Sequence, residues 1–316
     1  HSAKKPGLRE FTLANTDLVG SMATLVAPVV NATLGLKPVR HIVEGVMNID
    51  HRRIFPKYAF GTFEGWMRGQ RKAQAQFSKQ IAYFHGCYVN YNNPPLGQAF
   101  VKVVNALGYG VQLLDKEKCC GVALISNGFV EKAKKQAKTN LASIRKAVEK
   151  GMAVVATSST CTFTLRDEYE HLLGLDNHDV RESIDLATKF IYNLLCDGNH
   201  TLKFNPEAPR LRVAYHSPCH LERLGWTPYS IELLKLIPNV ELVKLDSQCC
   251  GIAGTYGFKK ENYQTSQAIG EPLFAAIEAS ECDVVSTDCE TCKWQIEMST
   301  TKKVLHPIEI LASFLS

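Results

Sequence analysis

Two sets of cysteines, separated by a nearly constant interval, constrain this chain more than any other feature. The first set is Cys87, Cys119, Cys120 and Cys161, and the second is Cys219, Cys249, Cys250, Cys289 and Cys292. Equivalent members are offset by 219 − 87 = 132, 249 − 119 = 130 and 292 − 161 = 131 positions, which indicates an internal duplication. Clustered thiolates in a reducing compartment are typical ligands of iron–sulfur clusters or zinc. The sequence therefore predicts metal chemistry built twice on one repeated unit.

The composition is that of a globular protein with room for two domains. The chain has 316 residues, of which 45% are hydrophobic and 21% are charged. Disulfides are an alternative use of the eleven cysteines, but disulfide frameworks are typical of small secreted domains, and the N-terminus shows no secretory signal. We therefore expect a cytoplasmic protein with reduced thiols. The chain begins at His1 rather than with methionine, and we expect further sequence upstream.

Residues 1–80 contain no cysteine and are predicted to form a connecting region that contacts the membrane or a partner. No uninterrupted apolar run is long enough to span a bilayer. Residues 36–80 carry nine basic and three acidic side chains. This excess indicates either a solvated face or attraction to anionic headgroups, where each basic residue near the surface contributes about 1 kcal/mol. No nucleic-acid-binding motif accompanies the charge, so we expect no nucleic-acid partner.

Two repeats with the same order of elements follow, over residues 81–200 and 201–316. Three short apolar segments in each repeat alternate with helical segments, and cysteines follow each apolar segment. The predicted strands are 81–84, 111–114, 153–156, 211–215, 240–243 and 283–286. This alternation predicts an α/β fold, with two duplicated units of parallel sheet and flanking helices related by pseudo-twofold symmetry. Binding sites of such sheets lie beyond the carboxyl ends of the strands, so each cysteine set should converge there.

The second repeat offers one thiol more than the first. Zinc and an ordinary cubane cluster each need four ligands, so a fifth cysteine is left over unless the cluster is unusual. When Cys161 is aligned with Cys292, Ser158 lies opposite Cys289. A serine hydroxyl is not ionised near neutral pH and replaces a thiolate poorly. The first repeat thus has four thiols and a serine.

Other interpretations of the cysteines are weaker. Buried core cysteines are common singly, but an adjacent pair repeated at matching positions argues against that interpretation. Catalytic thiol chemistry needs one activated cysteine rather than nine in register. Cys196 and Cys282 have no counterpart in the other repeat, and we expect them to be core residues. Four histidines are expected to lie near the cysteine ligands: His85, His216, His220 and His306. Of these, His216 and His220 are the best candidates for handling protons or binding metal.

The pattern Cys…Cys-Cys-Gly…Cys-x-x-Cys, present twice, resembles the cysteine-rich CCG family. That family includes the B subunit of heterodisulfide reductase, the iron–sulfur subunits of glycolate oxidase and lactate utilisation, and the C subunits of anaerobic glycerol-3-phosphate dehydrogenases. Residues 49–53, 84–87, 248–259 and 288–294 are most similar to the last group. The resemblance covers essentially the whole chain, and we expect the N-terminal ferredoxin-like half of that group to be absent from it.

The resemblance implies a role in electron transfer. In such complexes a flavin-containing subunit oxidises sn-glycerol 3-phosphate, and the C subunit passes the electrons to a membrane quinone, for which we expect menaquinone. FAD would belong to the partner subunit only. The resemblance also implies a peripheral position at the cytoplasmic face of the inner membrane.

The resemblance further implies the metal groups. In the heterodisulfide reductase relatives, five-cysteine sites hold noncubane [4Fe-4S] clusters, which implies such a cluster in the second repeat. Ser158 departs from that pattern, so the first repeat is expected to hold a cubane [4Fe-4S] cluster or zinc, with Ser158 outside the ligand set. Two rival functions stay open: disulfide chemistry at a noncubane cluster, as in heterodisulfide reductase, and a zinc-stabilised scaffold that anchors a partner.

Overall fold

The structure is a computed structural model that describes residues 6–246 and 248–316. Five helices precede the first strand. They are α1 (Leu8–Ala14), α2 (Thr16–Leu25), α3 (Ala27–Gly35), α4 (Lys37–Met47) and α5 (Phe63–Gln74).

The first unit alternates strands and helices around a parallel sheet. Its elements are β1 (Lys79–Phe84), α6 (Gly86–Tyr91), α7 (Pro94–Ala106), β2 (Tyr109–Leu113), α8 (Val122–Ser126), α9 (Val130–Glu149), β3 (Val154–Ala156), α10 (Ser159–Phe163), α11 (Tyr169–His171), β4 (Ile184–Leu186) and α12 (Ala187–Cys196). All strand pairs are parallel, and the strand order is β2-β1-β3-β4.

The second unit repeats this plan. Its elements are β5 (Leu211–Tyr215), α13 (Cys219–Leu224), α14 (Thr227–Lys235), β6 (Val240–Lys244), α15 (Tyr263–Ala279), β7 (Val284–Ser286), α16 (Glu290–Ser299), β8 (Lys303–Leu305) and α17 (Pro307–Ser313). The order β6-β5-β7-β8 is the order of the first sheet, again with parallel pairs. The predicted class, two parallel α/β units, is therefore confirmed.

Each sheet has one strand more than the sequence predicts. The six expected strands are all present within two residues of their predicted bounds, but β4 and β8 were missed. Both are only three residues long, so they show too little alternation to be recognised. They matter because each leads into a helix, α12 or α17, that packs on the other unit.

The two units hold each other through reciprocal helix contacts. Helix α7 of the first unit packs on α17 of the second, and its equivalent α14 packs on α12 of the first. Their apolar side chains form one shared core, to which Phe100, Ile191, Leu234 and Leu311 contribute. Burying this apolar surface favours association of the units, at about 25 cal/mol per Å². The exchange of equivalent contacts is the geometry expected from pseudo-twofold symmetry.

Helix α9 shows why the outer layers form. Its buried residues recur every three or four positions, from Ala133 through Ala137 and Leu141 to Ile144, which is the spacing of one helical face. That face packs in a second hydrophobic core, separate from the shared core between the units, whose members include Phe84 and Val154 of the sheet. The opposite face of α9 is polar. The strand ends and the loops before and after α9 are thereby held in place.

The N-terminal helices pack on both units. Helix α2 approaches α6 so closely that a Cβ on Gly20 would lie 2.5 Å from the ring of Tyr91. Ile49 forms an antiparallel bridge with Lys259 of the second unit. The boundaries after residues 80 and 200 stay predictions.

Among residues 6–246 and 248–316, no single helix is both long and apolar enough to cross a bilayer. Helices α2 and α3 have the required composition only when taken together, and they are bent by 105°.

One of the nine basic residues counted between positions 36 and 80 is not on the surface. Arg53 is only 1% exposed, and its guanidinium donates hydrogen bonds to Gln295 and, over 2.9 Å, to Ser266 Oγ. The guanidinium also lies 4.6 Å from the ring centroid of Tyr263. Burial lowers the pKa of Arg53 from its usual value. Arg53 therefore links the N-terminal region to the second unit and does not attract headgroups.

We expect Arg53→Ala to lower the free energy of unfolding by about 3 kcal/mol, because it leaves a cavity and removes the hydrogen-bond partner of the buried Gln295 Oε1. Lys57→Ala is the matched control. Lys57 is exposed, and its loss should change the stability by less than about 0.5 kcal/mol. Urea unfolding followed by circular dichroism measures both. Equal effects of the two substitutions would contradict the structural role of Arg53.

Candidate metal centres

The cysteines of each set converge at the carboxyl ends of three parallel strands. In the first unit, Cys87 lies in α6 after β1, the pair Cys119 and Cys120 follows β2, and Cys161 lies in α10 after β3. In the second unit, the corresponding positions are Cys219 at the start of α13, the pair after β6, and Cys289 and Cys292 around the start of α16. This is the edge where open α/β sheets place binding sites.

The first site is enclosed and reinforced by the N-terminal helices. The Sγ atoms of Cys119 and Cys87 are 3.7 Å apart. The Thr16 hydroxyl donates to Cys119 Sγ over 3.3 Å, and the Cys119 N–H donates to Asp17 Oδ2 over 2.7 Å. Burial, followed by the charge of Cys119, raises the pKa of Asp17 to about 6. Gly86 has φ +67°, and a Cβ there would lie 3.4 Å from Cys161 Sγ, so the glycine lets the backbone pass close to a ligand.

The second site brings thiols together in the same way. The Sγ atoms of Cys250 and Cys292 are 3.3 Å apart, and the Gly251 N–H donates to Cys249 Sγ over 3.3 Å. At Gly251, with φ +82°, a Cβ would lie 2.0 Å from Ser266 O, so only glycine fits this turn.

Thiolates are favoured at two positions of the second site. Hydrogen bonds with Cys249 and then Cys292 hold the pKa of Cys250 well below its usual range. A hydrogen bond with Cys292 is the main cause that lowers the pKa of Cys289 to about 6 against the effect of burial. Deprotonated thiols are the form that binds metal.

The two sites differ in exposure. Cys119, Cys120 and Cys161 are buried and Cys87 is half-buried. Cys219 and Cys249 of the second site are exposed, whereas its other three thiols are buried. A reaction partner can therefore reach the second site more directly than the first.

His85 and His216 occupy equivalent positions with different surroundings. His85 Nδ1 lies 3.3 Å from Glu117 Oε1, and its Nε2 lies 3.4 Å from Glu64 Oε1. Burial alone would lower the pKa of His85, but these carboxylates raise it to about 9. His85 thus faces carboxylates rather than thiols.

His216 is aimed at the thiols. It is only 2% exposed, and neither ring nitrogen has a hydrogen-bond partner among the residues described. One ring nitrogen lies within 4.8 Å of the sulfurs of Cys250 and Cys292. A buried imidazole without partners costs free energy. This orphaned ring, together with the converging thiols, fits a site that holds a metal group.

The Ser158 side chain forms hydrogen bonds with the backbone of its own unit and with a side chain of the neighbouring unit. Its hydroxyl accepts a hydrogen bond from the Cys161 N–H over 3.1 Å and donates to Glu290 Oε2 over 3.0 Å. The first contact caps the N-terminus of α10. Burial and then the charge of Cys289 raise the pKa of Glu290 to about 8. The one proton and one of the two lone pairs of the hydroxyl are therefore used by protein groups.

The two sites are joined by hydrogen bonds across the unit interface. Thr160 Oγ1, one residue before Cys161, lies 3.6 Å from Cys289 Sγ of the second site. His220 Nδ1, next to Cys219, lies 3.0 Å from the same Thr160 oxygen. The Ser159 N–H donates to Asp288 O over 2.9 Å. A residue adjacent to a cysteine of one site therefore touches a cysteine of the other.

Equivalent ring pairs flank this junction. Phe163 stacks on His220 with ring centroids 5.0 Å apart, and Trp294 meets Tyr88 edge-on at 5.7 Å. Phe163 and Trp294 each stand two residues after the last cysteine of their set. The pairs repeat the pseudo-twofold relation at the sites themselves.

Several residues at the sites were missed by the sequence analysis. Thr16 and Asp17 come from the N-terminal helices, and Thr160 from the opposite unit, so their sequence positions give no signal. Asp288 is fully buried next to Cys289 and accepts hydrogen bonds from Tyr215 over 2.7 Å and from Thr188 over 3.2 Å. Its place directly before Cys289 was the one available clue.

The expectations for three other residues have mixed outcomes. His306 caps α17 through Nδ1 and contacts Thr157 O through Nε2 over 2.7 Å, so it acts in the scaffold. Cys282 is buried as expected. The expectation for Cys196 is wrong, because this residue is exposed at the end of α12.

Comparisons with known proteins agree with this arrangement. The cysteine-rich domain family, CCG, matches twice, at residues 81–166 and 213–297. The C subunit of anaerobic glycerol-3-phosphate dehydrogenase from Escherichia coli K12 is 58% identical over 317 residues, covering 100% of this chain and 79% of that protein.

More distant relatives are known by name. The B subunit of fumarate reductase (CoM/CoB) from Methanothermobacter marburgensis is 28% identical over 73% of this chain and 44% of its own length. The D subunit of dihydromethanophenazine:CoB–CoM heterodisulfide reductase from Methanosarcina barkeri is 27% identical over 80% of this chain and 64% of its own length. An uncharacterised iron–sulfur protein of Methanocaldococcus jannaschii is 28% identical over 70% of this chain and 41% of its own length.

We expect the double substitution Cys249→Ser and Cys250→Ser to remove about half of the bound iron, because a hydroxyl cannot replace the thiolates of the second site. Cys196→Ser and Cys282→Ser are the matched controls, since neither cysteine belongs to a set. Iron and zinc per chain, measured after anaerobic purification, give the result. Unchanged iron in the double variant, or zinc in place of iron, would contradict the assignment.

Proposed function

Because the chain belongs to the CCG family, in the group of anaerobic glycerol-3-phosphate dehydrogenase C subunits, we propose that it is an iron–sulfur electron-transfer subunit. In this proposal it receives electrons from a flavin-containing subunit that oxidises glycerol 3-phosphate, and it passes them to a membrane quinone such as menaquinone. FAD stays in the partner subunit.

The observation that carries the proposal is the contact between the two sites. From Cys161 Sγ, the chain atoms lead through one peptide bond to the Thr160 hydroxyl, which lies 3.6 Å from Cys289 Sγ. Thr160 and Cys289 are both buried, so water does not separate them. A short, buried path between the two cysteine sets would favour electron transfer between groups held there, whereas an anchoring scaffold needs no such path.

We propose a different ligand set for each site. In the first unit, Cys87, Cys119, Cys120 and Cys161 would hold a cubane [4Fe-4S] cluster, while Ser158 keeps its capping role; zinc is the redox-inactive alternative. In the second unit, Cys219, Cys249, Cys250, Cys289 and Cys292 would hold a noncubane [4Fe-4S] cluster. Such clusters supply one-electron transfer when bound. His216 would face the second set, and His220 would orient the Thr160 hydroxyl toward Cys289.

The difference in exposure supports a direction of transfer. The first site is enclosed by α2 and α6, whereas Cys219 and Cys249 of the second site reach the surface. We propose that electrons enter at the first site and leave at the second, where an acceptor can approach. The buried residues around Thr160 would exclude water from the path between the sites.

We expect Thr160→Val to slow electron transfer from the first site to the second severalfold, because it removes the hydroxyl that contacts Cys289. The control is Thr291→Val, since Thr291 Oγ1 lies 3.2 Å from the same sulfur but belongs to the second unit. The measurement is rapid-freeze EPR of the complex with its flavin-containing subunits after mixing with glycerol 3-phosphate.

Reduction of both centres at the wild-type rate in Thr160→Val would contradict the path. If glycerol 3-phosphate reduces neither centre of the wild-type complex, the proposed function itself is wrong.

Disulfide chemistry is the second candidate, favoured by the exposure of Cys219 and Cys249. In that case a disulfide substrate would bind at the exposed edge of the second site. Anaerobic EPR during titration with a disulfide separates the two functions. A new paramagnetic species on addition of the disulfide supports this candidate, and its absence supports electron transfer to a quinone.

We also propose that the N-terminal helices contact the cytoplasmic face of the inner membrane as a peripheral attachment. At the corner between α2 and α3, Met22 is 63% exposed, Leu25 79% and Val29 63%. Exposed apolar clusters of this kind are typical of interaction sites. Nearby Lys37 and Lys57 are exposed and would add attraction to anionic headgroups.

We expect the triple substitution of Met22, Leu25 and Val29 by Ser to weaken binding to anionic vesicles at least about tenfold, since each inserted side chain contributes about 1.5–3 kcal/mol. Leu172→Ser, at a residue 54% exposed on the first unit, is the matched control. Replacing Lys37 and Lys57 by Gln should reduce the salt dependence of binding. Co-sedimentation with vesicles measures both effects. If all variants sediment with the vesicles to the same extent, α2 and α3 are a contact for protein rather than for the membrane.

A further inference from the structure

Equivalent helices of the two units carry opposite charge. Helix α9 of the first unit contains five lysines and Arg145 against two glutamates, whereas α15 of the second unit contains Glu271 and Glu278 and no basic residue. Both helices occupy the same place in the duplicated fold, after the Cys-Cys-Gly turn and before the third strand. The fold therefore does not require a lysine-rich helix here, and the charge needs another explanation.

The lysines line a continuous surface that ends at the first cysteine site. A cleft of about 310 Å³ is lined by Lys118, Lys132 and Lys135 together with Cys119. Two further clefts, of about 630 and 720 Å³, continue from it, and Thr139 lines all three. We call this surface the lysine face and define it by Arg68, Arg71, Lys116, Lys118, Lys135 and Lys138.

The acidic residues that line the same clefts have partners outside the lysine face. Asp17 accepts from the Cys119 N–H, and Glu64 and Glu117 face His85. Asp115 pairs with Lys146 at 3.6 Å and Glu131 with Lys134 at 3.9 Å.

The exposed lysines 116, 118, 135 and 138 are left to define the electrostatic field. Clefts that are lined by charge of one sign raise the association rate of oppositely charged partners by about 10–10³-fold.

A bilayer is a poor occupant of this surface. Among the described residues, the large apolar side chains that are exposed lie mostly between residues 8 and 60, and α9 contributes only Val130, at 37% exposure. Stable interfacial binding needs apolar side chains for insertion as well as positive charge. The concave shape and the opening beside Cys119 instead suit a protein that must bring a redox group close to the first site.

We propose that the lysine face docks an acidic electron-transfer domain of a partner protein, which delivers electrons to the first site. The proposal rests on the proposed function and adds the place of entry and the charge of the donor. Complexes of this kind are small and short-lived, and charge complementarity mainly increases their association rate. The donor would lose one electron and the cluster held by the thiols of the first site would gain it, with no bond formed or broken.

The test uses the full iron-loaded chain and a reduced, acidic plant-type [2Fe-2S] ferredoxin as the probe donor. We expect the triple substitution of Lys118, Lys135 and Lys138 by Gln to lower the second-order rate of reduction about tenfold at low ionic strength. The wild-type and variant rates should converge as salt is added, because exposed charges are screened over about 8–10 Å. Stopped-flow absorbance measures the rates.

The control is the triple substitution of Lys235, Lys244 and Lys303 by Gln. These lysines are exposed on the second unit, and their substitution should leave the rate unchanged. Iron content, EPR spectra and the rate with dithionite must stay at wild-type values in both variants, which separates docking from damage to the centre. Equal rates for both triple variants would overturn the proposal. So would binding to anionic vesicles that depends on Lys118, Lys135 and Lys138.

Ferredoxin binding, measured by fluorescence anisotropy, distinguishes this inference from the proposed function. Binding that depends on the three lysines, without reduction of the chain, would leave the docking surface intact and refute electron transfer. Reduction of the chain that does not depend on the three lysines would support electron transfer and refute docking at the lysine face.

Discussion

The reciprocal packing of the two units is the constraint on which the rest of the structure depends. Helix α7 meets α17 while α14 meets α12, and the shared core between them is apolar and fully buried. This packing sets the two sheets so that the N-termini of α10 and α16, the helices that carry the last cysteines of each set, meet through Ser158 and Glu290. The hydrogen bond from Ser159 to Asp288 fixes that alignment. Without the packing of the two units, the fold would hold two independent candidate metal sites rather than a connected pair.

The two duplicated units differ in the residues that surround their cysteines. The sheets, the cysteine turns and the flanking ring pairs are retained in both units, but the groups around the thiols have diverged. His85 is held by two carboxylates while His216 faces sulfur, and Ser158 replaces the thiol that Cys289 supplies. Helices α9 and α15 have diverged in charge. The first site is enclosed and lies beside a basic surface, whereas the second site is exposed, and the proposed direction of electron transfer is based on this difference.

The sequence predicts the parts of the structure that repeat. The offsets of the cysteine sets predict the duplication, and the apolar segments before each cysteine predict six of the eight strands. Contacts between units were beyond reach, because nothing in the order of residues places Thr160 against Cys289 or Thr16 against Cys119. The burial of Arg53 was missed for the same reason: an arginine in a basic segment resembles a surface residue until its partners, Gln295 and Ser266, are known. Short strands such as β4 and β8 show too little alternation to be recognised.

We propose that the two cysteine sets hold two iron–sulfur clusters joined by the Thr160–Cys289 contact. The most direct measurement is EPR of the fully reduced, anaerobically purified protein, together with its iron content. If each set holds a four-iron cluster, we expect about eight irons per chain and signals broadened by magnetic interaction between the two clusters. About four irons per chain, zinc in the first site, or the unbroadened spectrum of isolated centres would contradict it.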